Sequence, residues 1–163
     1  MKTIYWKKGV FSSTYQLFTL GTPIGNLHSK TWSNDATATI NAKRYTFKTK
    51  GFLSQSTLIV DNDINRIVGR ITYNSWRTKA KIELESTTAE LKSENILNSV
   101  WGMRGKNGES IKYSFSMTSG TITYSIADDT LVIAGLYAKN YFSQSSIGVF
   151  IAIFLPLYIV LFT

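Results

Sequence analysis

The stretch IGVFIAIFLPLYIVLF, residues 147–162, contains no charged side chain in a protein that is otherwise polar and basic. A helix that is apolar on every face must be enclosed on every face, by lipid or by the rest of the protein. At 1.5 Å per residue this stretch spans about 24 Å as an ideal helix, short of the ~30 Å hydrocarbon core that about 20 residues cross. Pro156 removes one backbone hydrogen bond near its centre and predicts a kink there, although membrane helices tolerate proline.

Most of the remaining chain alternates with period two, the pattern of strands with one buried face. Ala36, Ala38 and Ile40 alternate with threonines, and in KRYTFKTK the aromatic Tyr45 and Phe47 share one face. Ile67, Gly69, Ile71 and Tyr73 share another, as do Ala80, Ile82 and Leu84. Ile111, Tyr113, Phe115 and Met117 repeat the pattern, followed by Ile122, Tyr124 and Ile126. Turn signals separate these runs at Gly25-Asn26, Asp61-Asn62-Asp63, Asn107-Gly108, Ser119-Gly120 and Asp128-Asp129. Further strands are expected near Tyr15–Thr19, Ser56–Val60, Glu90–Lys92, Trp101–Gly105 and Leu131–Tyr137, and a helical turn at Ser93–Ser99.

Hairpin spacing without intervening helices predicts a mainly β, antiparallel fold of about ten to twelve short strands, a sandwich or a barrel, and the uncharged tail favours a closed antiparallel barrel of about twelve strands. An eight-stranded barrel fills its own interior with side chains, whereas a wider one leaves room for something more. The uncharged tail supplies a filling, a hydrophobic α-helix enclosed by the strands. The single domain over residues 1–163 therefore reads as strands over about 4–137 and a central helix over about 146–162.

The strands and tail together resemble the superfamily of tubby C-terminal domains, plant LURP-one-related proteins and phospholipid scramblases. The residues that carry the resemblance are YTFKTKGFLSQSTLIVDNDINRIVGRITYNSWRTKAKIEL, with a strand ending at Asp61, a tight turn, and then Val68-Gly69-Arg70-Ile71. LVIAGLYAKNYF then leads into the apolar tail. The resemblance implies a barrel whose closing helix lies inside it, and a basic outer face that meets phosphoinositide headgroups. The present chain is shorter, with few insertions between its strands.

The chain contains no cysteine, which removes disulfides, thiolate metal sites and cysteine nucleophiles. Asp61-Asn62-Asp63-Ile64-Asn65 begins like a calcium loop, but Arg66 stands where glycine is needed and no glutamate follows at position twelve. GMRGKNGES matches no phosphate loop, and the single histidine, His28, reads as an exposed loop residue without metal or triad partners. Glu83 and Glu85 share a face with Lys79 and Lys81, which favours solvated ion pairing over acid–base work. No enzyme, cofactor or metal is expected.

Net charge is +8. Alternation sends Arg44, Lys48 and Lys50 outward on one strand, Arg66 and Arg70 on another, and Lys79 and Lys81 on a third. If those strands are neighbours, seven cations gather on one outer face, either solvated or docked on anionic phospholipid headgroups at about 1 kcal/mol each. Trp6, Trp32, Trp76 and Trp101 suit barrel packing, or a membrane interface or nucleic-acid bases where exposed. The expectation is a monomeric, cytoplasmic, non-catalytic binding or scaffold protein, peripheral to an anionic membrane surface. The alternative is a tail-anchored membrane protein with a cytoplasmic β-domain. A nucleic-acid partner rests on charge alone and ranks below both, and no protein partner is indicated.

Overall fold

The computed structural model describes residues 1–51 and 55–144. Twelve strands follow in order: β1 (Lys2–Lys7), β2 (Thr14–Thr19), β3 (Thr22–Ser29), β4 (Ala36–Ile40), β5 (Lys43–Lys50), β6 (Ser56–Asp61), β7 (Arg66–Tyr73), β8 (Lys79–Leu84), β9 (Thr88–Ser93), β10 (Val100–Gly105), β11 (Ser110–Phe115) and β12 (Ser119–Tyr124). Every strand pairs antiparallel with its sequence neighbours, and β12 returns to β1 with Lys2 opposite Tyr124 and Lys7 opposite Ser119. The sheet is therefore a closed up-and-down barrel, which leaves no unpaired edge.

Connections in such a barrel alternate between its two ends. Residues 8–13, 30–35, 74–78, 94–99 and 116–118 join strands at one end, hereafter the loop end. The other, the turn end, carries tight connections. Leu20 and Gly21 have φ of 50° and 78°, and Asn41 and Ala42 have 48° and 66°. Two consecutive positive φ values give the hairpin geometry that matches the right-handed twist of the flanking strands.

Period-two alternation is what drives closure. Ile4 and Trp6 on β1, Tyr45 and Phe47 on β5, Ile111 and Tyr113 on β11 and their equivalents elsewhere are all buried. The intervening positions, such as Arg44, Lys48, Lys81 and Lys112, are exposed.

One helix, α1, follows β12 over residues 129–144. Asp128 caps it, its Oδ1 accepting from the Leu131 amide at 2.8 Å, which satisfies a donor that the first turn leaves free. Leu131, Val132, Ile133, Ala134, Leu136, Tyr137 and Ala138 are all buried. Consecutive positions advance by about 100° around a helix, so no face of α1 is left to water. Its contacts reach β2, β3, β5, β7, β10 and β11. Tyr113 of β11 donates to the Val132 carbonyl at 3.0 Å, and Tyr137 stacks on Phe47 of β5 at 4.4 Å. Tyr141 stacks on Tyr73 of β7 at 4.1 Å, and Phe142 on Trp101 of β10 at 5.5 Å. Asn140 accepts from Tyr15 of β2 at 3.2 Å and donates to Ser29 of β3 at 2.7 Å.

Several expectations are corrected. Leu131–Tyr137 is helix rather than strand, because the Asp128 cap starts a helix just before it. The last strand accordingly ends at Tyr124. Gly25-Asn26 lies within β3 rather than in a turn, and Ser119-Gly120 begins β12. Ser93 ends β9, and residues 94–99 form an irregular turn without helix, with Asn98 at a φ of 53°. The helix expected over about 146–162 lies outside the described residues.

Candidate functional site

All seven cations expected on the outer wall are exposed there. Register places them in lateral rows. Lys48 stands opposite Leu58, Leu58 opposite Arg70, and Arg70 opposite Glu83, so Lys48 and Arg70 flank one apolar residue. One step toward the loop end, Lys50 faces Ser56, Ser56 faces Thr72, Thr72 faces Lys81, and Lys81 faces Glu90.

Alternation places Glu83 and Glu85 on the face of Lys79 and Lys81, but it does not reveal that Asp63 reaches Arg44 or that Glu85 reaches Arg66. Arg44 binds Asp63 at 2.8 Å and Arg66 binds Glu85 at 2.9 Å, both near the turn end. Lys81 binds Glu83 at 2.6 Å and Lys79 lies 4.0 Å from Glu90. The Arg44 amide and guanidinium hold Asp63 below the usual carboxylate range, and the Lys81 ammonium does the same to Glu83. Lys48, Lys50 and Arg70 form no ion pair among the described residues. The positive field of this wall is thus concentrated in its loop-end half.

The motifs tested for chemistry take structural roles. Asp61 Oδ1 accepts from the Asp63 amide at 2.9 Å, closing the hairpin turn between β6 and β7. His28 is on strand β3 rather than in a loop, exposed, with Nδ1 2.7 Å from Thr14 Oγ1. No cluster of three metal-ligating side chains occurs among the described residues.

Between α1 and the strands lie hydroxyls bonded to one another. Tyr137 contacts Thr49 at 2.6 Å and donates to the Asn34 carbonyl at 2.5 Å, and Tyr73 meets Thr57 at 2.6 Å. Burial pushes the Tyr15 phenol up to about 12 and raises those of Tyr73 and Tyr137. Neutral phenols bonded in this way lock packing and offer no acid or base near neutral pH.

The tryptophans divide sharply. Trp6 and Trp101 are buried, whereas Trp32 is 97% and Trp76 86% exposed, each in a loop-end connection. The C-terminal end of α1 reaches the same end, since Gln144 borders a cleft with Phe11, Lys30 and Trp32. No helix among the described residues is long and apolar enough to cross a membrane. Comparison with protein-family models, curated proteins and solved structures finds no match to this chain.

Proposed function

We propose that this chain is a non-catalytic binding or scaffold protein of the tubby-like kind, in which α1 occupies the barrel interior and the outer surface engages anionic phospholipid. A twelve-stranded closed antiparallel barrel followed by a helix buried on every face supports the tubby-like reading. An interior filled by the chain's own helix leaves recognition to the outside. The observation that carries the lipid reading is the loop-end half of the wall, where Lys48, Lys50 and Arg70 stand exposed without a carboxylate of their own. Three such cations amount to about 3 kcal/mol of attraction to an acidic leaflet, weak enough to be abolished by salt.

Cosedimentation with vesicles tests this. Binding is expected to rise with phosphatidylserine content and fall with ionic strength. Reversing Lys48, Lys50 and Arg70 to glutamate should abolish the wall's contribution, whereas reversing the ion-paired Arg44 and Arg66 should do less. Binding indifferent to salt and to acidic lipid would defeat the reading.

The tail-anchor reading gains from one observation. Residues 129–144 already supply a buried helix, and in sequence Gln144, which borders a loop-end cleft, leads into the uncharged residues 147–162. A tether there would hold the loop end against the bilayer. Full-length protein that stays in membranes after alkaline carbonate extraction supports the tether, and release into the supernatant refutes it.

A further inference from the structure

We infer that the loop end of the barrel is a bilayer-docking crown, whose exposed aromatic and aliphatic tips enter the interfacial region of an anionic leaflet. This deepens the membrane reading above and rests on it. The strands bury most of their large apolar residues, Tyr5 and Ile67 being half exposed, yet the most exposed aromatic side chains stand in the connections at this end. Phe11 is fully exposed, Ile96 99%, Leu97 84% and Met117 76%, alongside Trp32 and Trp76. They come from five separate connections, so barrel closure is what gathers them at one end. Patches of this kind on a soluble domain mark an interaction surface, and tryptophan with phenylalanine favours the headgroup level of a bilayer.

Charge selects an anionic bilayer as the occupant. Of the ten carboxylates in the chain, Asp61, Asp63, Glu85, Glu109, Asp128 and Asp129 lie at the turn end. The loop-end connections contain Asp35, whose Oδ1 is bound to the Thr49 amide at 2.9 Å, and Glu94. Against these stand Lys8, Lys30 and Arg77 in the same connections, and Lys50 and Lys79 at the adjoining strand ends. The loop end is thus net basic and holds the exposed aromatic tips Phe11, Trp32 and Trp76, whereas at the turn end the carboxylates offset Lys43, Arg44, Arg66 and Lys106, and the exposed apolar residues of its connections, Leu20, Ile64 and Ile126, are aliphatic. Gln144 also lies at the greasy end, and in sequence nineteen residues without a charge, 145–163, follow it. A second copy of this chain would bring like charges together, whereas an acidic leaflet satisfies both the cations and the tips.

Tryptophan fluorescence of the full-length chain, reconstituted with phosphatidylcholine–phosphatidylserine vesicles carrying brominated acyl chains, tests the crown. Quenching is expected, and it should disappear in W32F/W76F, whose remaining Trp6 and Trp101 are buried and report that the barrel is folded. F11S/W32S/W76S should lower vesicle affinity at least tenfold while leaving the melting temperature unchanged. If the protein resists carbonate extraction but iodide in the water, rather than brominated lipid, quenches Trp32 and Trp76, the crown is overturned and the tether stands. If the chain is soluble and ignores vesicles, both are overturned. A dimer that shields Trp32 and Trp76 from iodide without lipid would also overturn the crown.

Discussion

Gly135 gives the sharpest test of how α1 packs. Glycine in the middle of a helix costs about 1 kcal/mol relative to alanine, so Gly135→Ala on an exposed helix would stabilise the protein. Here a methyl group at this position would lie 2.5 Å from Tyr113 Cζ, with the Tyr113 hydroxyl and Met103 Cε closer still. Tyr113 and Met103 are buried on β11 and β10, and the Tyr113 hydroxyl is committed to the Val132 carbonyl. Overpacking costs about 1–3 kcal/mol, and displacing a buried phenol from its acceptor about 1–2 kcal/mol more. After the helical gain, the net loss is about 1–4 kcal/mol. A domain of this size loses about 2–4 °C per kcal/mol, so a melting temperature lower by about 5–10 °C is expected for a mid-range loss. Tyr113→Phe removes the nearest clashing atom, so Gly135→Ala should cost about 1 kcal/mol less in that background. Thermal melts of the four proteins in the cycle decide the matter. A neutral or stabilising Gly135→Ala would mean that α1 does not meet β10 and β11 as described.

Three other perturbations follow from the same packing. Ala42 holds a φ of 66°, a conformation that costs a side chain about 1 kcal/mol, so Ala42→Gly should raise the urea midpoint. Asn140→Leu leaves the buried Tyr15 and Ser29 hydroxyls without their partner, at about 1–3 kcal/mol each; adding Tyr15→Phe and Ser29→Ala should recover much of the loss in a denaturant titration. Burial next to Lys8 lowers the Lys139 ammonium to about 8, with Nζ 4.1 Å from the Phe115 ring. Above about pH 8 the folded chain releases this proton while the unfolded chain keeps it to about 10.5, so stability should rise with pH in that window. Lys139→Met should remove the rise and add up to ~3 kcal/mol at pH 7, as measured by melts across pH. Above pH 10 the trend reverses, because the buried phenols of Tyr15, Tyr73, Tyr113 and Tyr137 stay protonated only in the folded state.

The strands were legible where one face is buried and the other is wet. KRYTFKTK, KAKIEL and SIKYSF alternate cleanly, and each is a strand in the barrel wall. Leu131–Tyr137 reads as a strand in the sequence because a short apolar run has the same appearance in a buried strand and in a helix buried on every face. The discriminating signal was Asp128, which reads as a turn residue and serves as a cap. Two hairpin turns were hidden because Leu20 and Ala42 rarely take positive φ, so only tertiary pairing holds them there. Gly25 misled in the opposite sense. It sits mid-strand because a side chain would strike the Ile40 backbone, its Cβ lying 2.9 Å from that Cα.

The surface was legible only in part, for a related reason. Alternation determines which way a cation points, and all seven wall residues are exposed. It also sets Glu83 on the face of Lys81, where the two pair, but it says nothing about acids that arrive from a neighbouring strand or turn. Arg66 meets Glu85 across a hairpin, and Arg44 meets Asp63 across another, so both are neutralised by turn-end carboxylates. The exposed loop-end tips left no periodic trace, since connections obey no alternation. Trp32 and Trp101 look alike in the sequence, yet one crowns a loop and the other packs under Phe142.

An up-and-down barrel sorts its connections into two sets, and that sorting links this architecture to the proposed function. Residues far apart in the chain acquire a common address from strand parity alone. Among the described connections, those that leave an odd-numbered strand join the loop end, and those that leave an even-numbered strand join the turn end. Mutations in alternate hairpins therefore build one polarised surface without disturbing the wall between. Acids accumulated at the turn end also cap α1, where Asp128 complements the positive end of the helix dipole. Cations at the loop end stand beside its negative end, so under the proposed function a charge distribution that favours the folded helix would also orient the barrel toward an acidic leaflet. Exchanging the two sets, with Asp128→Lys and Lys30→Glu, should therefore weaken the helix cap and vesicle binding together, whereas either change alone should affect only one.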